Sequence, residues 1–200
     1  SDIRPFYQDI PVEILNKSVD LNTKASLTKD NVNVDRLILS MPGHFSFTGN
    51  GTLASFGEMK NMSGRFKLNG EMPDVSFLES FLGEGGGITI PRNISLTADL
   101  NVNRGDANAA LRLCPPNGCL TVDDNYHLVD ETYKGEVTLN SFPLNQFLDN
   151  DSLGNLYARL NVSGHSFTWE KAEAQVSALI DSFPFNGHNY QDITLEASLM

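Results

Sequence analysis

The stretch Ile94-Ser95-Leu96-Thr97-Ala98-Asp99-Leu100-Asn101-Val102 alternates between apolar and polar side chains at every step. Successive side chains of a β-strand point to opposite faces, so this alternation predicts a strand with one apolar face and one polar face. Strands of a parallel α/β sheet are apolar on both faces and read as continuous apolar runs. The stretch therefore predicts an antiparallel sheet with one dry face.

The same alternation recurs along the chain, in segments 19–27, 45–47, 66–68, 137–139, 156–162, 172–180 and 193–197. Apolar residues occur at helical spacing only in two short segments, 74–82 and 144–148. We expect an all-β fold with two short helices, in which a curved, mostly antiparallel sheet forms either an open, taco-like groove or a sandwich.

Turns between the strands are predicted by clusters of glycine, asparagine and proline. These clusters are Pro42-Gly43, Gly49-Asn50-Gly51, Asn69-Gly70, Arg104-Gly105-Asp106, Asn117-Gly118, Ser163-Gly164-His165 and Asn186-Gly187. Their spacing is typical of a meander of medium-length strands.

A weak internal repeat links segments 62–123 and 133–181, each read as strand, short helix, strand, strand. A repeated unit that cannot close its own core favours an extended, stacked arrangement. The alternating pattern also breaks off in mid-strand at the end of the sequence. We therefore expect residues 1–200 to be a single elongated, β-rich segment of a longer protein.

The charge balance excludes several classes of partner. Lys and Arg total 14 against 25 Asp and Glu, which gives a net charge of −11. Such a chain repels phosphate backbones, so no nucleic-acid partner is expected. Attachment to an anionic membrane surface through a polybasic patch is disfavoured for the same reason.

The sequence has no recognisable catalytic or metal-binding pattern. The four histidines, His44, His127, His165 and His188, have no metal-ligand spacing to Cys, Asp or Glu. No nucleophile elbow occurs, and the glycine run 85–87 lacks the Lys-Ser/Thr of a phosphate loop. We expect a protein that is not an enzyme and that has no cofactor and no metal site.

Two acidic clusters have the composition of calcium-binding loops. Asp123-Asp124 and Asp149-Asn150-Asp151 offer oxygen ligands, but neither has the spacing of a calcium-binding loop. The sequence favours solvated turns at both places.

Two cysteines, Cys114 and Cys119, flank the turn sequence Pro-Pro-Asn-Gly. Strands on both sides would place them opposite each other at the neck of a hairpin. A disulfide and a pair of free thiols are both compatible with this pattern. A disulfide would indicate an oxidising compartment such as the periplasm.

The apolar residues that share the dry phase of their strands are the candidate functional site. If no second sheet covers them, they would line a groove for an apolar ligand. The predicted lining is Phe45, Phe47, Phe66, Leu68, Leu96, Leu100, Val102, Leu111, Leu113, Val137, Leu139, Leu156, Leu160, Val162, Val176, Ile180, Ile193 and Leu195.

Three segments, 45–53, 76–82 and 185–195, resemble the TamB branch of the AsmA-like superfamily of Gram-negative envelope proteins. The most specific of them is an aromatic residue followed by Asn186-Gly187 and then by Tyr190-x-Asp192-Ile193-x-Leu195. The resemblance covers the chain from about Val32 onwards.

This resemblance implies a protein anchored in the inner membrane, with a β-rich periplasmic body that has an apolar interior. It also implies phospholipid transport between the inner and outer membranes, or outer-membrane assembly together with an outer-membrane barrel protein. The ligands would be phospholipid acyl chains. An alternative is a structural or adhesive β-sandwich module with a closed core. A glycan-acting enzyme, which would need paired carboxylates, is the least favoured hypothesis.

Overall fold

The chain folds into one antiparallel sheet of eleven strands, seen in a computed structural model that describes residues 18–81, 88–166 and 173–199. Each strand pairs with the next one in sequence, and β1 and β11 form the two edges. The strands are β1 (Asp20–Leu27), β2 (Asn31–Met41), β3 (Phe45–Ala54), β4 (Ser63–Met72), β5 (Ile94–Asn103), β6 (Asp106–Cys114), β7 (Cys119–His127), β8 (Thr132–Pro143), β9 (Asn155–His165), β10 (Glu173–Phe185) and β11 (His188–Leu199).

The predicted all-β, antiparallel fold is confirmed. Between the two architectures that the sequence left open, the described residues form the open sheet, because all eleven strands belong to one sheet. No second sheet packs on it within the described parts of the chain.

Short helices lie in the connections between strands. The two predicted helices are present as a 3₁₀ helix, Ser76–Phe81, between β4 and β5, and as α1, Leu144–Phe147, between β8 and β9. A further 3₁₀ helix, Met59–Asn61, was not predicted. Strand, short helix, strand, strand is thus the order of elements over β4–β6 and again over β8–β10.

Because the strands alternate in direction, every second connection lies at the same end of the sheet. We call the end that carries α1 the α1 end and the other the opposite end. Backbone hydrogen bonds join connections at the α1 end: the amides of Asp74, Thr89 and Gly154 donate to the carbonyls of His44, Phe147 and Pro184. The bond from Thr89 to Phe147 joins the β4–β5 connection to the β8–β9 connection, past the β6–β7 hairpin that lies between them.

The opposite end is joined in the same way. There the amides of Phe56, Arg104, Leu128 and Ser166 donate to the carbonyls of Asp30, Met62, Gly105 and Glu131. Each bond links one hairpin to the next hairpin along that end. Both ends of the open sheet are therefore held by contacts additional to the strand ladder.

Four of the predicted turns are confirmed at Pro42-Gly43, Arg104-Gly105, Asn117-Gly118 and Asn186-Gly187. The last of these has positive φ at both residues, 50° and 80°, which matches the twist of a two-residue hairpin.

Three of the predicted turns are wrong. Gly49-Asn50-Gly51, Asn69-Gly70 and Ser163-Gly164-His165 lie within β3, β4 and β9.

An aromatic ring on the neighbouring strand explains why glycine occurs inside these strands. The register places Phe66 opposite Gly51, Phe47 opposite Gly70 and Tyr133 opposite Gly164. In each pair the ring occupies the space that a Cβ would need. These glycines let an aromatic ring lie flat on the backbone, and the ring in turn shields that backbone from water.

Cys114 and Cys119 are joined by a disulfide, with their Cα atoms 4.2 Å apart. The guanidinium of Arg112 donates a hydrogen bond to each sulfur atom at 3.2 Å. The disulfide closes the neck of the β6–β7 hairpin.

We predict that Gly51→Ala destabilises the fold by about 1–3 kcal/mol, the usual cost of overpacking. An added Cβ would lie 2.5 Å from both the carbonyl oxygen of Arg65 and Cδ1 of Phe66. Gly57→Ala is the control, because a Cβ there meets nothing within 4 Å. Urea unfolding measures both variants, and equal midpoints would contradict the prediction.

We predict that replacing both cysteines by serine lowers the free energy of unfolding by about 2 kcal/mol, as expected for a short closed loop. Urea unfolding with and without a thiol reductant tests this. The reductant should shift the midpoint of the wild type and leave the double variant unchanged. A wild type insensitive to reduction would oppose a stabilising role for the Cys114–Cys119 bond.

Candidate functional site: the apolar face

Residues paired across an antiparallel sheet lie on the same face, so the register defines the two faces directly. Following the pairs from β1 to β11 gives rows of residues that cross all eleven strands on one face. Row A is Leu21, Leu39, Phe47, Gly70, Leu96, Leu113, Leu120, Leu139, Ala158, Ile180 and Ile193.

Three further rows run beside row A, in order towards the opposite end. Row B is Thr23, Leu37, Gly49, Leu68, Ala98, Leu111, Val122, Val137, Leu160, Ala178 and Leu195. Row C is Ala25, Val34, Gly51, Phe66, Leu100, Ala109, Asp124, Gly135, Val162, Val176 and Ala197. Row D is Leu27, Val32, Leu53, Gly64, Val102, Ala107, Tyr126, Tyr133, Gly164, Ala174 and Leu199.

The register brings every predicted lining residue onto this face, which we call the apolar face. All but two of them belong to rows A–D. Phe45 and Leu156 lie beyond row A, towards the α1 end, where they pair with Met41 and Phe142.

The apolar face is large for a protein of this size. Eleven strands spaced by about 4.8 Å span roughly 50 Å, and a strand of ten residues is about 33 Å long. The face therefore extends over more than about 1,000 Å², whereas the largest apolar patch on a typical monomer is about 300–600 Å².

Most lining residues are half-buried, because they pack sideways on their neighbours in the same face. Leu100, near the middle of the sheet, is 38% exposed, and Leu195, near one edge, is 54% exposed. In the described chain, the buried apolar side chains are Met41, Val75, Ile94, Val102, Phe142 and Ala158, together with Pro115 and Pro143.

The buried residues lie mainly where connections cover the ends of strands. At the α1 end, for example, the ring of Phe142 stacks on Phe147 of α1 with the ring centroids 4.8 Å apart. Between the two ends the face has lateral packing and little cover from the described residues.

Sequence reasoning missed the parts of the face on β1, β2 and β7. In β2 the alternation is interrupted by a bulge between Val34 and Leu37, which hides the period in the sequence. In β7 the predicted solvated turn at Asp123-Asp124 is wrong, since both residues lie inside the strand. The alternation Leu120, Val122, Asp124, Tyr126 would have revealed this strand.

Asp124 is the only charged residue in rows A–D. Its strand neighbour Asp123 points to the other face, where it pairs with Glu136 and Ala110.

The other face is polar and carries the ion pairs. Asp99 binds Arg65 at 2.8 Å and Lys67 at 3.3 Å, and Arg65 lowers the pKa of Asp99 through a hydrogen bond. Lys24 lies 3.3 Å from Asp35, whose pKa is lowered chiefly by a hydrogen bond from Asn33. These exposed pairs contribute little to stability, but they keep this face hydrated.

Two of the four histidines, His44 and His127, have structural contacts. Nδ1 of His44 lies 2.7 Å from the carbonyl oxygen of Asp74, and the His44 ring packs edge-on against Phe77. His127 lies between Asp106 and Asp130 at 3.7 Å and 3.3 Å. The described residues contain no group of three or more His, Cys, Asp or Glu side chains that could hold a metal ion.

Within the same residues, none of the helices has the length and apolar character needed to cross a membrane. Comparison of the chain with protein-family models, with curated proteins and with solved structures finds no match.

Asp74 anchors the α1 end of the face. Its carboxylate accepts hydrogen bonds from the hydroxyl and amide of Ser76, at 2.7 and 3.2 Å, and pairs with Arg92 at 3.0 Å. The hydrogen bonds from Ser76, with a smaller contribution from Arg92, lower the pKa of Asp74.

We predict a pH-dependent stabilisation by this carboxylate. Because its pKa is lower in the folded state, the contribution is present above the unfolded value of about 3.9 and is lost as the pH falls through the folded value. Asp74→Asn should therefore lower the free energy of unfolding near neutral pH by about a few tenths of a kcal/mol, as measured by urea unfolding, and the difference should vanish in acid. A difference that is independent of pH would contradict this assignment.

Proposed function

We propose that the apolar face binds the acyl chains of phospholipids, and that the chain is a non-enzymatic part of a periplasmic machine. In this proposal it takes part in phospholipid transport between the inner and outer membranes of a Gram-negative envelope, or in outer-membrane assembly. An outer-membrane barrel protein of the assembly machinery is the proposed protein partner.

The observation that carries the proposal is the continuity of rows A and B. They cross all eleven strands without a charged residue, and Thr23 at the β1 edge is the only polar side chain in them. A structural sheet needs to bury its apolar face against a second layer. Here the described chain supplies no such layer, so a ligand is the natural cover.

Acyl chains fit this surface better than a compact ligand does. Small-molecule sites are enclosed clefts with a few converging polar groups, whereas this face is long, open and apolar. Each methylene removed from water contributes about 0.8 kcal/mol, so a flexible chain gains affinity wherever it lies along the rows. Affinity without a fixed position suits movement along the surface.

The sequence resemblance to the TamB branch of the AsmA-like superfamily supports the cellular side of the proposal. It is the reason for placing the chain in the periplasm, in a protein anchored in the inner membrane. The disulfide between Cys114 and Cys119 is compatible with that oxidising compartment.

Leu160→Glu is predicted to keep the fold and to abolish lipid binding. Leu160 lies in row B, half-buried between Val137 and Ala178, so a carboxylate there can still reach water when the face is empty. Covering it with acyl chains would bury an unpaired charge, which costs several kcal/mol. Native mass spectrometry of lipids retained by the purified chain measures binding, and circular dichroism measures the fold.

Ser163→Glu is the matched control. Ser163 lies on the same strand and on the polar face, directly opposite Lys134, so its carboxylate should leave both fold and binding unchanged. If Leu160→Glu unfolds the chain and no lipid is ever retained by the wild type, the closed structural module is the better account.

A further inference from the structure

Asp124 breaks the apolar face at one position in row C. Its carboxylate is partly buried, and no described residue pairs with it or donates a hydrogen bond to it. Its register neighbours are Ala109 on β6 and Gly135 on β8, which have the smallest side chains available. The carboxylate is thus set into a low part of the face.

The position of the carboxylate is defined by Gly135. One oxygen, Oδ1, lies 2.7 Å from the point that a Cβ of Gly135 would occupy. The side chain therefore leans over β8, in the plane of the apolar face, and does not extend straight out into water.

A bound acyl chain changes the environment of this carboxylate. Acyl chains lying on rows A and B would displace water from the strip beside row C. A carboxylate that loses water without gaining a partner is costly, whereas one that gains a cation forms a charge-assisted hydrogen bond. A ligand that covers the face is therefore favoured when it places a cationic group next to the Asp124 carboxylate.

Resting on the proposed function, we propose that Asp124 binds the head group of the lipid and selects glycerophospholipids whose head group carries a primary ammonium. The ammonium lies at the Asp124 carboxylate, and the acyl chains run over Val122 and Leu120 towards the α1 end. Their flanks are apolar on both sides, at Leu111 and Val137. Asp124 is thus the specificity-determining residue of the apolar face.

Charge complementarity excludes the anionic lipids as preferred ligands. A head group with net negative charge would meet the Asp124 carboxylate at close range and a chain whose formal charge is −11. The short-range repulsion is screened by salt less than the long-range field, because the carboxylate is partly buried.

The test compares two short-chain lipids used below their micelle-forming concentrations, dihexanoyl phosphatidylethanolamine and dihexanoyl phosphatidylglycerol. Native mass spectrometry with both lipids present gives the ratio of their affinities. We expect the wild type to favour the ethanolamine lipid, and Asp124→Asn to reduce that ratio by about two- to fivefold, the range of a partly exposed ion pair. Asp124→Glu should retain the preference.

Asp123→Asn is the matched control, because it removes one negative charge from the neighbouring residue on the polar face. If both Asn variants reduce the ratio equally, net charge sets the preference, and the assignment to Asp124 is overturned. If both lipids bind and Asp124→Asn leaves the ratio of their affinities unchanged, Asp124 does not select the head group and the proposal is overturned. The carboxylate would then serve only to oppose self-association of the apolar face. If neither lipid binds to the wild type, the proposed function itself fails.

Discussion

The register between consecutive strands is the constraint on which the rest of the structure depends. If one strand slipped by one residue, all of its apolar side chains would move to the polar face of the sheet. Where strands do contain an extra residue, neighbouring strands compensate. Irregular positions near Ser141 in β8, between Ile180 and Ser182 in β10, and at Asp192 in β11 keep Phe142, Phe183 and Tyr190 on the apolar face.

A sheet held in this way does not need a closed core. Each strand is stabilised by its two neighbours, by the packing of half-buried side chains along rows A–D, and by the hydrogen bonds that join connections at both ends. Stability is then a sum of nearest-neighbour contributions, as in repeat proteins. Folding leaves part of the apolar area exposed to water, and covering this area would be favourable. A ligand that covers it therefore stabilises the folded chain by mass action.

The fold class and most of the apolar face could be predicted because alternation with a period of two is recorded directly in the sequence. The errors came from glycine and from charge. Gly51 and Gly70 have the composition of a turn, and only the rings that lie across them, from residues fifteen or more positions away, show that they belong to strands. Asp123 and Asp124 have the composition of a solvated loop, and only the pairing of β7 with β6 and β8 assigns them to opposite faces. The choice between open sheet and sandwich was likewise set by long-range pairing, which a local pattern does not contain.

The two faces of the sheet have opposite requirements: one needs water and ion pairs, and the other needs an apolar cover. Asp124 is a charged residue on the face that needs the apolar cover. The polar face carries the ion pairs of Asp99, Asp35 and Asp181, which are satisfied by neighbouring lysine and arginine side chains and by water. The apolar face is removed from water only when an apolar ligand or partner covers it. A single carboxylate on that face has little effect on an empty, hydrated sheet, but it becomes the strongest local electrostatic feature once water is displaced. Its influence is therefore exerted on the occupied state, which is the state in which one ligand is distinguished from another.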